Sequence, residues 1–266
     1  MSCADLVPAR GGSGAGGMQV RYDLMRPHQI RDAIALNRPV LLPLGVMEYH
    51  GEHLAVGTDM LAVSRAFERL EAEDHDAVVI LPAFAYGAAS HAVAAPQGNG
   101  TLHIDAEVLV PFAKALFAAL LSTGFRNIHG VIHHQTEDFA QGMPTDLAFR
   151  LAARQAIFAE MEHRRGQGWW GADAMRSYYE DGGTDPFDWI RIHPLLPQGA
   201  GSRYPSDHAG RGETGLMLAL AAETVAAERI ADNSAWYTET AARATATEGE
   251  AGVALILSHL RQILGL

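Results

Sequence analysis

The spacing of apolar residues along the chain alternates between a helical period and short runs that fit buried strands. Residues 27–37, PHQIRDAIALN, place Ile30, Ala33 and Ile34 on one side of a short helix, and 39–45, PVLLPLG, read as a buried strand. The order then repeats. MLAVSRAFERLEAED (60–74) predicts a helix with Thr58 or Asp59 at its start, AVVILPAF (77–84) a second strand, and DAEVLVPFAKALFAALLSTG (105–124) a helix closed by Gly124. NIHGVIHH (127–134) predicts a third strand and TDLAFRLAARQAIFAEMEHRR (145–165) a third long helix. ETGLMLALAAETVAAERI (213–230) and GVALILSHLRQILGL (252–266) predict two more.

Strands alternating with helices of ten or more residues predict parallel βαβ units, hence a three-layer α/β/α fold with a mostly parallel central sheet. Sites in such folds sit at the carboxyl ends of the strands. Residues 166–205 break the alternation: they are irregular, carry Trp169, Trp170 and Trp189, and read as a lid or an oligomer contact. Residues 1–17 end in ARGGSGAGG, too poor in apolar side chains to fold, so a single domain is expected over 18–266. The glycines of GSGAGG fit a dinucleotide-binding spacing, but no strand precedes them, and that reading is rejected.

Composition narrows the function classes. The chain of 266 residues is 48% hydrophobic and 19% charged, with 31 acidic against 20 Lys and Arg residues and a formal net charge of -11. Without a basic run, a phosphate backbone would be repelled, so no nucleic-acid partner is expected. The single cysteine, Cys3, excludes an intramolecular disulfide and an all-thiolate zinc site, and fits a reducing cytoplasm. No apolar run reaches the ~20 residues of a membrane span, and no signal-peptide core is visible, so neither membrane attachment nor export is expected.

The chemistry-bearing residues cluster directly after the predicted strands. EYHGEH (48–53) is followed by Asp59; IHHQTED (132–138) holds His133, His134, Gln135, Glu137 and Asp138; SDHAGRGET (206–214) holds Asp207, His208 and Glu213; His91 lies in YGAASHAVAAPQGNGT (86–101). Imidazole and carboxylate groups converging from several elements are the donor set of a hydrolytic divalent-metal site. A lone His or Glu at a strand end is more often a solvated loop residue, but three such clusters after successive strands are not explained that way.

LPLGVMEYHGEHLAVGTD (42–59) resembles the LPxGxxExHGxHLPxxTD signature of the creatininase (creatinine amidohydrolase) family. PAFAYGAASH, GNGTLHI, GFRNIHGVIHH and DHAGRGETGLMLAL follow in the family's order, so the resemblance runs over roughly residues 22 to 225. It implies two divalent metal ions, zinc or manganese with iron as a third option, bridged by Asp59. Glu48 and His134 would hold one ion, and His50 and Glu213 the other, with Glu137 as the alternative to Glu213. Three carboxylates and one hydroxide would then balance two dications, leaving a nearly neutral cluster that can be buried.

By the same resemblance His208 is the proton donor, with Glu137 a second acid–base candidate. His53 supports the loop. His91, His133, Gln135 and the tryptophans Trp169, Trp170 and Trp189 are substrate-side or supporting groups. The implied reaction is attack of a metal-bridging hydroxide on the carbonyl of a small cyclic amide. Ring-opening carbon–carbon hydrolysis of a polyhydroxylated cyclic ketone is the alternative, and a non-catalytic metabolite binder is the alternative of another class. A homo-oligomer, commonly a hexamer, is also implied, with the apolar C-terminal VALILSHLRQILGL as its support in the chain. Two departures stand out. HHQTED replaces NGHGGN, turning a small, amide-like surface into a bulky, ionisable one and arguing against creatinine itself, and ETG in place of ETS is expected to remove a hydroxyl beside the metals.

Overall fold

The computed structural model describes residues 19–135, 139–180 and 186–266. The expected N-terminal tail and Glu137 therefore lie outside the described residues. Six α-helices and four strands follow one another in those segments: α1 (Pro27–Ala35), β1 (Val40–Leu44), α2 (Thr58–Glu73), β2 (Val79–Ile80), α3 (Ala106–Thr123), β3 (Ile128–Ile132), α4 (Pro144–Arg165), β4 (Ile190–Pro194), α5 (Arg211–Leu220) and α6 (Ala246–Leu264). The strands form one parallel sheet in the order β2-β1-β3-β4, with Val40 opposite Ile128 and Leu44 opposite Ile132.

The expected three-layer α/β/α architecture follows from the two-residue repeat of the strands, because alternate side chains enter opposite cores. Leu41 and Val131 pack with α2, α5 and α6. Val40, Leu42, Leu44, Ile128 and Ile132 pack with α1, α3 and α4. All five residues of β1 and of β3 are buried, which is why neither run alternates in polarity.

Several expectations need correcting. β4 lies inside 166–205, where irregular chain was expected; its Ile190 and Ile192 alternate with Arg191 and His193, too short a signal beside so many glycines and prolines. The helix expected over 213–230 stops at Leu220 and gives way to 3-10 turns, and α6 begins at Ala246 rather than at Gly252. The C-terminal apolar stripe is spent inside the molecule, with Val253, Ile256, Leu257, Leu260 and Leu264 in the first core, so it does not support an oligomer contact. α3 is, by length and mean hydropathy of 1.5, apolar enough to cross a membrane, contrary to the expectation that no run is. Here Ala113, Phe117, Leu120 and Leu121 join the core with β1 and β3, Leu109 packs with Ala88 and Ala148, and Val108 and Phe112 are left exposed.

Candidate metal centre

Close backbone approach at the carboxyl end of β1 sets the position of the site. Gly45 follows the strand directly, and a Cβ there would lie 2.4 Å from the backbone nitrogen of Met60 at the start of α2. Only glycine lets the chain pass so near the first turn of α2, which carries Asp59. The 48–53 loop then turns back, with Glu48 N–H bonded to the Val56 carbonyl at 2.9 Å. Glu48, His50 and Asp59 are each 1% exposed.

β3 delivers His134, whose Nδ1 lies 3.2 Å from Asp59 Oδ2 and 3.4 Å from Glu48 Oε2. α5 delivers Glu213 in its first turn. His50 Nε2 is 3.4 Å from Asp59 Oδ1 and 3.6 Å from Glu213 Oε2. The two oxygens of Asp59 thus face two different histidines. Two donor triads result, Glu48–Asp59–His134 and His50–Asp59–Glu213, each with its ligand atoms within 4.8 Å of one another. Glu48, His50 and His208 form a third such group.

Orphaned polar atoms test whether a cation fits. Buried polar groups are hydrogen-bonded in the great majority of cases. Among the described residues, both oxygens of Glu48 and Nε2 of His50 are buried without a hydrogen-bond partner. His50 Nδ1 bonds to the Glu48 carbonyl at 2.9 Å, which leaves the Nε2 lone pair free for a metal. The donors present therefore fit divalent metal, and mixed imidazole and carboxylate ligands suit zinc, manganese or iron.

Without metal, protons take the cations' place. Burial alone would push His50 down, but the Glu213 and Asp59 carboxylates override it and hold its pKa up at about 10. Burial opposes protonation of His134 too, and its contacts with Asp59 and Glu48 raise it to about 10. Burial would raise both carboxyls, yet His50 and His134 hold Asp59 well below the usual carboxylate range. His50 and His133 bring Glu213 down to about 2.

The other sequence candidates divide. His133, Gln135 and His208 line the same pocket, a cavity of about 250 Å³. His208 Nε2 donates to the Tyr49 carbonyl at 2.9 Å, and its Nδ1 is 3.9 Å from Glu48 Oε2. His53 bonds Thr214 at 2.9 Å and props the loop against α5. His91 is exposed against His103, outside the pocket lining. The tryptophans do not line it either. Trp169 is buried beside Phe158 and Phe187, Trp170 packs on Tyr178, and Trp189 lies under the Arg126 guanidinium ahead of β4, away from the strand ends that bear the site.

Part of 166–205 does reach the pocket, through Leu196, Pro197, Gln198, Gly199, Ala200, Gly201, Tyr204 and Pro205. The sequence offers them only as part of an irregular lid or oligomer contact and singles out none of them, because the strand that delivers them is hidden. Gly215 of ETG faces α6: a Cβ there would meet the Thr245 carbonyl and the Tyr204 hydroxyl at 3.4 Å, so the change from serine removes no group facing the metals. Asp207 is structural, accepting the backbone N–H of Gly212 at 2.7 Å and of Glu213 at 3.1 Å.

A family model for creatininase, described as creatinine amidohydrolase, matches residues 23–264. The chain belongs to the creatininase family. With that family it is a metal-dependent hydrolase. A creatinine amidohydrolase of Pseudomonas putida is 24% identical over 196 residues, covering 73% of this creatininase-family chain and 68% of the relative. Among solved structures, a manganese form of creatininase superposes with a TM-score of 0.69 at 18% identity, over 93% of this chain and 99% of that one. A Zn-Zn mutant creatininase gives 0.67 at 17%, over the same shares.

Proposed function

We propose that the chain is a dinuclear-metal hydrolase that opens a small cyclic amide. The observation that carries this reading is Asp59, which turns one oxygen toward His134 and Glu48 and the other toward His50 and Glu213. Glu48, His134 and Asp59 would hold one divalent ion, and His50, Glu213 and Asp59 the other. Such a pair supplies an acidified water at neutral pH and polarises the substrate carbonyl.

The chain's own residues do the rest. The 196–206 segment and Leu216 wall the cavity and limit it to a small ring. His208 keeps its Nε2 proton on the Tyr49 carbonyl, so Nδ1 is the atom that carries a proton to the departing amine. Tyr237 meets the His208 ring edge-on at 5.3 Å and holds its orientation.

Gln135, Gln198 and Ser206 in the wall favour a second reading, since they could bond the hydroxyls of a polyhydroxylated cyclic ketone. One assay separates the two. The metal-loaded protein is offered cyclic amides, creatinine included because the Pseudomonas putida relative is named for it, and a cyclic polyhydroxy diketone. A new carboxylate together with a new amine supports the amide reading; a carboxylate from the diketone alone supports the ketone. A protein that binds these compounds, retains both metals and turns over none of them is a binder, and the hydrolase reading falls.

A further inference from the structure

His133 and His134 are neighbours at the end of β3, yet they serve different carboxylates. His134 faces Asp59 and Glu48, whereas His133 Nε2 lies 3.1 Å from Oε1 of Glu213. An ionised carboxylate only accepts, so this nitrogen carries the hydrogen. Oε2 of Glu213 accepts from the Ala209 N–H at 2.6 Å and is the oxygen that faces His50. Ala209 sits at φ 50, a left-handed backbone that alanine rarely takes, and in that conformation presents its N–H to the carboxylate. The plane of the Glu213 carboxylate is thus clamped at both oxygens, one clamp coming from the backbone and the other from His133.

Nδ1 of His133 is buried and, among the described residues, has no hydrogen-bond partner. Enclosed in this way, it offers a substrate no surface, although the ring edges the pocket. The bond that matters is therefore the one to Glu213. We infer that His133 is a positioning residue, which holds Glu213 in the rotation that turns Oε2 toward His50, where a cation held with Asp59 would bind. The inference rests on the dinuclear reading above. Of the two roles the sequence left open for His133, substrate contact and support, it takes the second and names Glu213 as the group supported. Hydrogen bonds of this kind to ligating groups typically change metal affinity by ~10–100-fold.

The test is calorimetric titration of zinc or manganese into the metal-depleted full chain and its variants. His133→Phe keeps the ring and loses the donor; His133→Gln keeps a donor of similar reach. The expected result is two binding steps in the unsubstituted chain. In H133F one step is weakened ~10–100-fold and the other is unchanged, and in H133Q affinity returns to within a few-fold. Should H133F fail to fold by circular dichroism, His133→Asn, which is too short to reach Glu213, carries the same expectation. Two unchanged steps in H133F, or a raised KM with unaltered metal binding, would overturn the inference and return His133 to the substrate. A single step in the unsubstituted chain would instead overturn the dinuclear reading itself.

Discussion

Asp59 Oδ2 lies 3.2 Å from His134 Nδ1 across 75 residues of chain. The contact joins the first turn of α2 to the end of β3, two elements brought together because β1 and β3 are parallel neighbours in the sheet. With its other oxygen turned to His50, Asp59 is common to both triads.

Asp59→Asn keeps the shape and removes the shared charge. Each ion of the proposed pair would lose a ligand, so metal content is expected to fall below about one ion per chain and activity on the order of 10³-fold, the equivalent of several kcal/mol of transition-state stabilisation. Elemental analysis alongside the hydrolysis assay checks this. Full metal content in D59N would remove Asp59 from the centre.

His208→Ala separates chemistry from metal binding. Metal content stays that of the unsubstituted protein, while kcat drops by about 10²–10⁴-fold, the usual range for a lost general acid. The measurement is kcat against KM with metal analysis on the same sample. Loss of metal in H208A would place His208 among the ligands, as its grouping with Glu48 and His50 allows.

Metal removal changes the pH dependence of stability. His50 and His134 titrate at about 10 in the folded metal-free chain against an ordinary 6.5. Their contribution is fully present below 6.5 and is lost as pH rises through about 10. Asp59 and Glu213, both depressed, contribute above their ordinary range and lose it as pH falls. Thermal melts of the metal-free protein should therefore drop between neutral pH and pH ~10, while the metal-loaded protein, whose cations have displaced those protons, stays flatter. Parallel curves for the two forms would contradict this.

A second, metal-independent acid sensitivity comes from the amino-terminal half of β3, away from the strand end that bears the site. His129 Nδ1 lies 3.1 Å from His193 Nε2. Burial, followed by the neighbouring imidazole or Arg191, lowers the two to about 3 and about 4. The unfolded chain takes up these protons below about 6.5 and the folded chain does not, so stability declines from there toward pH 4. His129→Phe should flatten that limb in both metal states, read from melts between pH 4 and 7.

Gly45→Ala tests the close approach that places Asp59. The added methyl would meet α2 backbone, which cannot swing aside, and a cost of about 1–3 kcal/mol is expected. That corresponds to a fall in Tm of several degrees, at roughly 2–4 °C per kcal/mol for a chain of this size. An unchanged melt would show that the approach is looser than described.

Much of this was legible in the chain. Long amphipathic helices and buried strands announce themselves by period, and LPLGVMEYHGEHLAVGTD carries a strand and three of the donors in one stretch. β4 was not legible, because Ile190 and Ile192 are too few to outweigh Arg191, His193 and the surrounding glycines and prolines. With it went the pocket wall at 196–205, whereas the conspicuous tryptophans lie elsewhere, Trp169 and Trp189 in the core beside α4 and Trp170 at the surface. The facing of Gly215 was illegible for a related reason: which way an α5 residue points depends on the α6 crossing, which is so close that a Cβ on Gly249 would overlap the Gly215 carbonyl oxygen at 1.8 Å.

Anomalous diffraction at the absorption edge of the bound metal, from crystals of the loaded protein, tests the central claim most directly. Two peaks are expected, one flanked by Glu48, Asp59 and His134 and the other by His50, Asp59 and Glu213. A single peak, or peaks that leave Asp59 uncoordinated, would contradict it.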